Sequence, residues 1–170
     1  MTDEDLEQAA APSFDAAHLR QVMGHFCTGV TIVTAIDNGE PVGFTAQSFQ
    51  SLSLDPPLVL FSPQKTSSTW PRLQAAKSFC VNILSADQEA LCRAFASSGA
   101  EKYTGVGWKP GAATGAPVLD GVLGWIEADI ETVVDGGDHL IVIGRIRDLG
   151  IGHEGQPLLF YRGGFGRFES

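Results

Sequence analysis

Apolar and polar residues change period several times along the chain, and each change marks an element. Leu19, Val22, Met23 and Phe26 recur at helical spacing behind Asp15, a residue type whose carboxylate satisfies free N–H groups at a helix start. A helix is therefore predicted from Asp15 to about Cys27, ended by Thr28-Gly29. Two β-forming runs, Val30 to Ile36 and Pro41 to Gln47, flank Asp37-Asn38-Gly39-Glu40. Asn-Gly between such runs is a hairpin signal, because both residues tolerate positive φ. Further strands are predicted over Ser51 to Leu54 and Leu58 to Ser62, parted by Pro56-Pro57, and over Ser78 to Leu84. Arg72 to Ala76 reads as a short helix. Ser85 or Asp87 opens another, with Leu91, Ala94 and Phe95 on its inner face. Ser97 to Pro117 is Gly-rich and aperiodic, which predicts a loop or lid.

The last third reads most clearly as sheet. From Gly124 to Val134 the acids Glu127, Asp129 and Glu131 alternate with apolar or small residues, the pattern of a strand with one polar face. Asp135-Gly136-Gly137-Asp138 makes a hairpin turn, His139 to Ile146 returns, and Leu158 to Tyr161 adds a last strand. Many strands, a few short helices and no βαβ alternation exclude a doubly wound parallel sheet. They predict a mainly β protein, a closed or split antiparallel barrel.

Composition narrows the functional classes. A chain of 170 residues is expected to form one domain, here residues 14–170, behind a disordered acidic tail over 1–13. The net charge of −9 and the lack of any basic cluster argue against nucleic acid or an anionic membrane as partner. Cys27, Cys80 and Cys92 are odd in number and lie in apolar stretches, so buried, reduced thiols in a cytoplasmic protein are expected, without disulfides or zinc. Met1 to Pro12 has neither the basic start nor the apolar run of a signal peptide, and no stretch is long and apolar enough to be a transmembrane span.

Candidate chemistry concentrates between Gly43 and Pro71. Gly43 to Leu54 carries no charge, and Thr45, Phe49, Ser51 and Ser53 share one parity, so a continuous strand would place three hydroxyls and a ring on one face. Such a face suits a flat, polar-edged heterocycle, and equally a buried strand whose hydroxyls bond to neighbouring backbone. Lys65 is followed by Thr66, Ser67, Ser68 and Thr69, leading through Trp70-Pro71 into the short helix. That is either an anion site at a helix start or an ordinary cap. No phosphate-loop, dinucleotide, metalloprotease or nucleophile-elbow motif is present, and no metal site is expected. His18, His25 and His153 are expected to be structural or solvent-facing, and Trp70, Trp108 and Trp125 to serve packing or a lid.

Five motifs occur in order: Phe26 to Thr34, Gly43 to Pro57, Lys65 to Trp70, Gly137-Asp138-His139, and Pro157 to Gly164. Together they resemble the flavin reductase family with its antiparallel, Greek-key FMN-binding split barrel. More narrowly, they are similar to the small reductase components of two-component flavin-dependent monooxygenases. The resemblance runs from about Phe14 to Phe168. It implies NAD(P)H:flavin oxidoreduction, with FMN or FAD and with NADH favoured over NADPH, and reduced flavin released to a separate oxygenase. It also implies a homodimer with flavin near the subunit interface. Carried over by position, Thr45, Ala46, Gln47 and Ser48 would meet the flavin ring edge. Ser51, Ser62, Lys65, Thr66, Ser67 and Ser68 would bind the ribityl chain and phosphate. Ala96, Ser97 and Lys102 would close over the flavin's tail, and Tyr161, Arg162, Gly163 and Gly164 would border the nicotinamide nucleotide. His139 would orient the carboxamide or donate to the flavin edge. The alternatives on the same fold are a pyridoxamine-phosphate-oxidase-like enzyme that retains its flavin and a non-catalytic flavin- or haem-binding barrel.

Overall fold

A computed structural model describes residues 13–99 and 101–168. Helix α1 (Ala16–Met23) precedes β1 (Thr28–Gly29), β2 (Thr31–Asp37), β3 (Glu40–Ala46), β4 (Gln50–Leu54) and β5 (Pro57–Phe61). Then come α2 (Trp70–Ala76), β6 (Ser78–Ile83), a 3-10 turn over Ala86–Gln88, and α3 (Glu89–Ala96). The chain ends with β7 (Trp108–Pro110), β8 (Pro117–Leu119), β9 (Gly124–Gly136), β10 (His139–Ile151), β11 (Leu158–Tyr161) and β12 (Gly164–Arg167). The expected tail over 1–13 lies, but for its last residue, outside the described residues.

Seven strands form one antiparallel sheet in the order β3-β2-β6-β9-β10-β5-β4. Strands β3 and β4 are its two edges, yet only Gln47, Ser48 and Phe49 separate them in sequence. A flat sheet would hold those edges six strand spacings apart, roughly 29 Å. The chain from Ala46 to Gln50 reaches at most about 14 Å. The sheet must therefore curl until its edges approach, leaving an unpaired seam crossed by Gln47–Phe49: a split barrel. Inside it, Phe61 packs edge-on to Phe79 at 5.1 Å and to Trp70 at 6.2 Å, while Leu73 of α2 is fully buried in the same cluster. Gly144 of β10 is required here, because a Cβ would lie 2.4 Å from the Phe79 ring.

Several sequence expectations need correction. The segment 43–57 is not one strand. β3 stops at Ala46 and β4 carries an irregularity between Ser51 and Ser53, so Thr45, Phe49, Ser51 and Ser53 do not share a face. The first helix ends at Met23, and Thr28-Gly29 forms β1 against β11. Its apolar residues are uncovered, with Met23 60% and Phe26 74% exposed, and Cys27 is exposed rather than buried. On α3 the inner residues are Cys92 and Phe95, while Ala94 faces outward. The expected lid contains β7, and β7 pairs with β8 in a two-stranded ribbon. Beyond Tyr161, β12 pairs back on β11. Glu127 belongs to no solvent face, because it is wholly buried.

The Asn-Gly hairpin between β2 and β3 forms as expected, with Asn38 and Gly39 at φ 51° and 84°. Ser85 and Gln88 make a reciprocal capping box ahead of α3.

Candidate active site

The seam of the barrel opens into a cavity of about 700 Å³. Its floor is the end of β3: Phe44, Thr45 and Ala46. Gly43 lets α3 approach this strand, since a Cβ there would lie 2.9 Å from the Phe95 ring. The Thr45 hydroxyl donates to the carbonyl of Cys92 at 2.7 Å and so ties β3 to α3. Gln47 and Ser48 cross the seam. The Ser48 hydroxyl accepts from the Ser62 amide at 2.8 Å, joining the crossing to the end of β5.

Opposite the floor runs the loop 62–69. Ser62, Thr66, Ser67, Ser68 and Thr69 all line the cavity, and Ser67 Oγ accepts from the Trp70 amide at 3.2 Å as α2 begins. The loop is laced to the β9–β10 hairpin, with Lys65 N donating to Asp138 O at 3.0 Å and Leu140 N to Pro63 O at 2.9 Å. His139 thereby reaches the rim of the cavity. Its Nδ1 lies 2.7 Å from a carboxylate oxygen of Asp138. A carboxylate only accepts, so Nδ1 carries the proton and Nε2 remains available for a ligand. The hydrogen bond from His139 holds the Asp138 carboxyl below its usual range.

The third wall is the end of α3 with Ala96, Ser97 and Ser98, together with Lys102. The Lys102 ammonium donates to Gly43 O at 3.1 Å and to Phe95 O at 3.0 Å. Burial lowers its pKa. Among the described residues no carboxylate lines the cavity although the chain carries 20 Asp and Glu, so an anion bound there meets no direct carboxylate neighbour.

Twelve sequence-predicted residues therefore meet at one cavity: Thr45, Ala46, Gln47, Ser48, Ser62, Thr66, Ser67, Ser68, Ala96, Ser97, Lys102 and His139. Others do not join them. Ser51 is exposed on the outer edge strand β4, and Lys65 turns outward to pair with Asp135. Tyr161, Arg162, Gly163 and Gly164 make the β11–β12 hairpin turn, docked on the end of α1 through the bond from Arg162 N to Gly24 O at 2.9 Å. Gly163 borders a second, more apolar cavity of about 980 Å³, which Met23, Phe26 and Cys27 also line and which shares Gln47 and Ser48 with the first. Sequence reasoning missed Phe44, Pro63, Gln64, Thr69, Phe95 and Ser98 as lining residues. Phe44, Gln64 and Thr69 lie inside or beside the motifs already singled out, and Phe95 was placed only as a packing residue of its helix.

A pocket with an aromatic floor, hydroxyl walls, one half-buried cation and an imidazole at its rim fits a planar ring bearing a phosphate. The model of the flavin reductase like domain matches residues 23–169 of this chain. The chain belongs to the flavin reductase family. It is 47% identical to the reductase subunit of a flavin-dependent monooxygenase from Rhodococcus jostii, over 94% of this chain and 82% of that protein. Nitrilotriacetate monooxygenase component B from Mycobacterium thermoresistibile superposes with a TM-score of 0.87 at 43% identity, covering 98% of this chain and 89% of the other. The NADH:FAD oxidoreductase of Streptomyces globisporus, solved with NAD and FAD fragments, gives a TM-score of 0.87 at 38% identity, over 94% and 96% of the two chains. The split-barrel architecture and the flavin reductase class are thus common to the chain and its relatives. Among the described residues, no helix is long and apolar enough to cross a membrane.

Proposed function

We propose that this flavin reductase binds flavin in the 700 Å³ cavity, reduces it with NADH and releases it to a separate oxygenase. When bound, the flavin supplies the redox chemistry by accepting a hydride from the nicotinamide. The protein's part is to seat and align the two rings. Thr45, Ala46, Gln47 and Ser48 face the flavin ring, and Ser62, Thr66, Ser67 and Ser68 take the ribityl chain and phosphate. Ala96, Ser97 and Lys102 flank the tail. His139 presents Nε2 toward the nicotinamide carboxamide or the flavin edge. Either FMN or FAD is accepted, and NADH is preferred because the sequence holds no cluster of basic residues suited to a 2′-phosphate.

The observation that carries this reading is the makeup of the cavity: hydroxyls on two walls, a single lysine already committed to two carbonyls, and no carboxylate. Hydroxyls hold a phosphate less firmly than a guanidinium clamp would, which suits a flavin that leaves after each turnover. Tyr161 to Gly164 approach the nucleotide only from the second cavity, where Gly163 lies. Two copies pair through the uncovered faces of α1, placing the flavin cavities near the interface. The free thiols suit the reducing cytoplasm. NADH oxidation measured with and without added FMN or FAD tests the reading. Turnover should saturate with free flavin, and reduced flavin should cross a dialysis membrane to an acceptor. Undiminished activity with one retained flavin per chain and none outside would reject release.

A further inference from the structure

We infer that Glu127 is a positioning residue for the flavin seat: from the protein interior it fixes the ribbon whose leading segment holds Lys102 and Tyr103 against the cavity wall. The inference rests on the flavin-binding reading of that cavity. Glu127 is fully buried on β9, beside Cys80 on the neighbouring strand. Its carboxylate accepts from Ala113 N at 3.2 Å, from Thr114 N at 2.8 Å and from Thr114 Oγ1 at 2.6 Å. The turn lies directly on the carboxylate, since a Cβ at Gly111 would sit 2.0 Å from Oε1. A buried acceptor that meets three donors at one turn defines that turn's place, and an uncompensated donor there is costly.

From this anchor the ribbon runs back to the site. Trp108 of β7 meets Tyr103 edge-on at 6.3 Å, and Tyr103 meets Phe95 edge-on at 5.0 Å. Phe95 lines the cavity. The Tyr103 hydroxyl donates to Val42 O at 2.9 Å, next to the Gly43 carbonyl that Lys102 engages. At the far end, Asn82 receives the Leu119 amide at 2.8 Å and, with Thr34, donates to Pro117 O. The ribbon is thus pinned on the outer face of the barrel wall, opposite the Phe61–Phe79 core, with Lys102 ahead of it on the cavity. What looks like a lid in sequence is a fixed wall.

Glu127→Gln keeps the volume and turns an amide NH2 toward donors. In a flavin fluorescence titration it should raise the dissociation constant about tenfold, while the Michaelis constant for NADH at saturating flavin stays unchanged. Because Glu127 acts through the wall, E127Q combined with K102M should bind flavin no worse than the weaker single variant. Val142→Ala, a core change away from the ribbon, should lower the unfolding temperature yet leave flavin affinity alone. Thr114→Val removes one of the three bonds and should weaken binding about threefold, even should E127Q fail to fold. Additive losses in E127Q/K102M, or affinities within twofold of wild type for the variants that fold, overturn the inference. No flavin binding by the unaltered protein overturns the reading of the cavity, and this inference with it.

Discussion

The two cavities that share Gln47 and Ser48 differ in what they lack. In the first, several polar side chains already have partners: Thr45 with the Cys92 carbonyl, Ser48 with Ser62, Ser67 with the start of α2, and Lys102 with two carbonyls. Such groups are held in place before a ligand arrives, so little ordering entropy is lost on binding. The second cavity is apolar and open beside Phe14, Leu19, Val22, Met23 and Phe26, all exposed on or next to α1. A run of exposed apolar side chains of this kind marks a surface suited to contact with another chain. On the proposed reading one region takes a small polar ligand and the other a second copy of the chain, and the seam crossing makes them neighbours.

The largest test strikes the apolar side. Met23→Asp with Phe26→Asp should abolish pairing of two copies, shifting light-scattering mass to that of one chain, because like charges would then face each other across the contact. A mass unchanged by the substitution, or already that of one chain in the unaltered protein, would mean that α1 is covered by something else. The polar side is tested next. Ser67→Ala with Ser68→Ala should weaken FMN binding by about tenfold to a hundredfold, with riboflavin nearly indifferent, since each lost phosphate bond contributes about 1–2 kcal/mol. Equal losses for both ligands would reduce these serines to caps of α2.

A smaller effect is expected at the rim. His139→Ala should raise the Michaelis constant for NADH or slow flavin reduction in stopped flow by about tenfold, with flavin affinity unchanged. An unaltered reduction rate would return His139 to the role of a turn residue. The smallest is a pH effect. Burial places the Lys102 ammonium below the ordinary lysine value of 10.5, and its charge is lost as pH rises through the lowered value. FMN affinity should therefore be full below that pH and decline above it. The decline should be absent for riboflavin and in Lys102→Met.

Eight of the twelve strands and the hairpin turns at Asn38-Gly39 and Gly137-Asp138 were legible in sequence because they depend on local signals of alternation and turn chemistry, whereas the twelve residues that meet at the cavity came by position from the family resemblance. What failed depended on partners far along the chain. Glu127 keeps perfect alternation with Asp129 and Glu131, yet the turn at 111–116 covers it and supplies its hydrogen bonds. The helical spacing in α1 correctly announced an apolar face, but nothing in the spacing says that the face remains uncovered. Thr45 and Ser51 were placed together on the premise of a continuous strand, which the seam breaks at Gln47. Lys65 sits beside the hydroxyl run in sequence, and the opposing hairpin draws it away to Asp135.

The seam also dictates when the site comes into being. Gln47–Phe49 bridge strands that are consecutive in sequence and farthest apart in the sheet, so their final positions exist only after β2, β6, β9, β10 and β5 have been paired in between. The β2–β6, β6–β9 and β10–β5 pairings join distant segments, and topologies dominated by such contacts assemble slowly. A partly folded chain can hold the β2–β3 hairpin and still possess no place for a flavin ring. Flavin capture is therefore a late event on the folding pathway. A chain that has it has already closed its barrel.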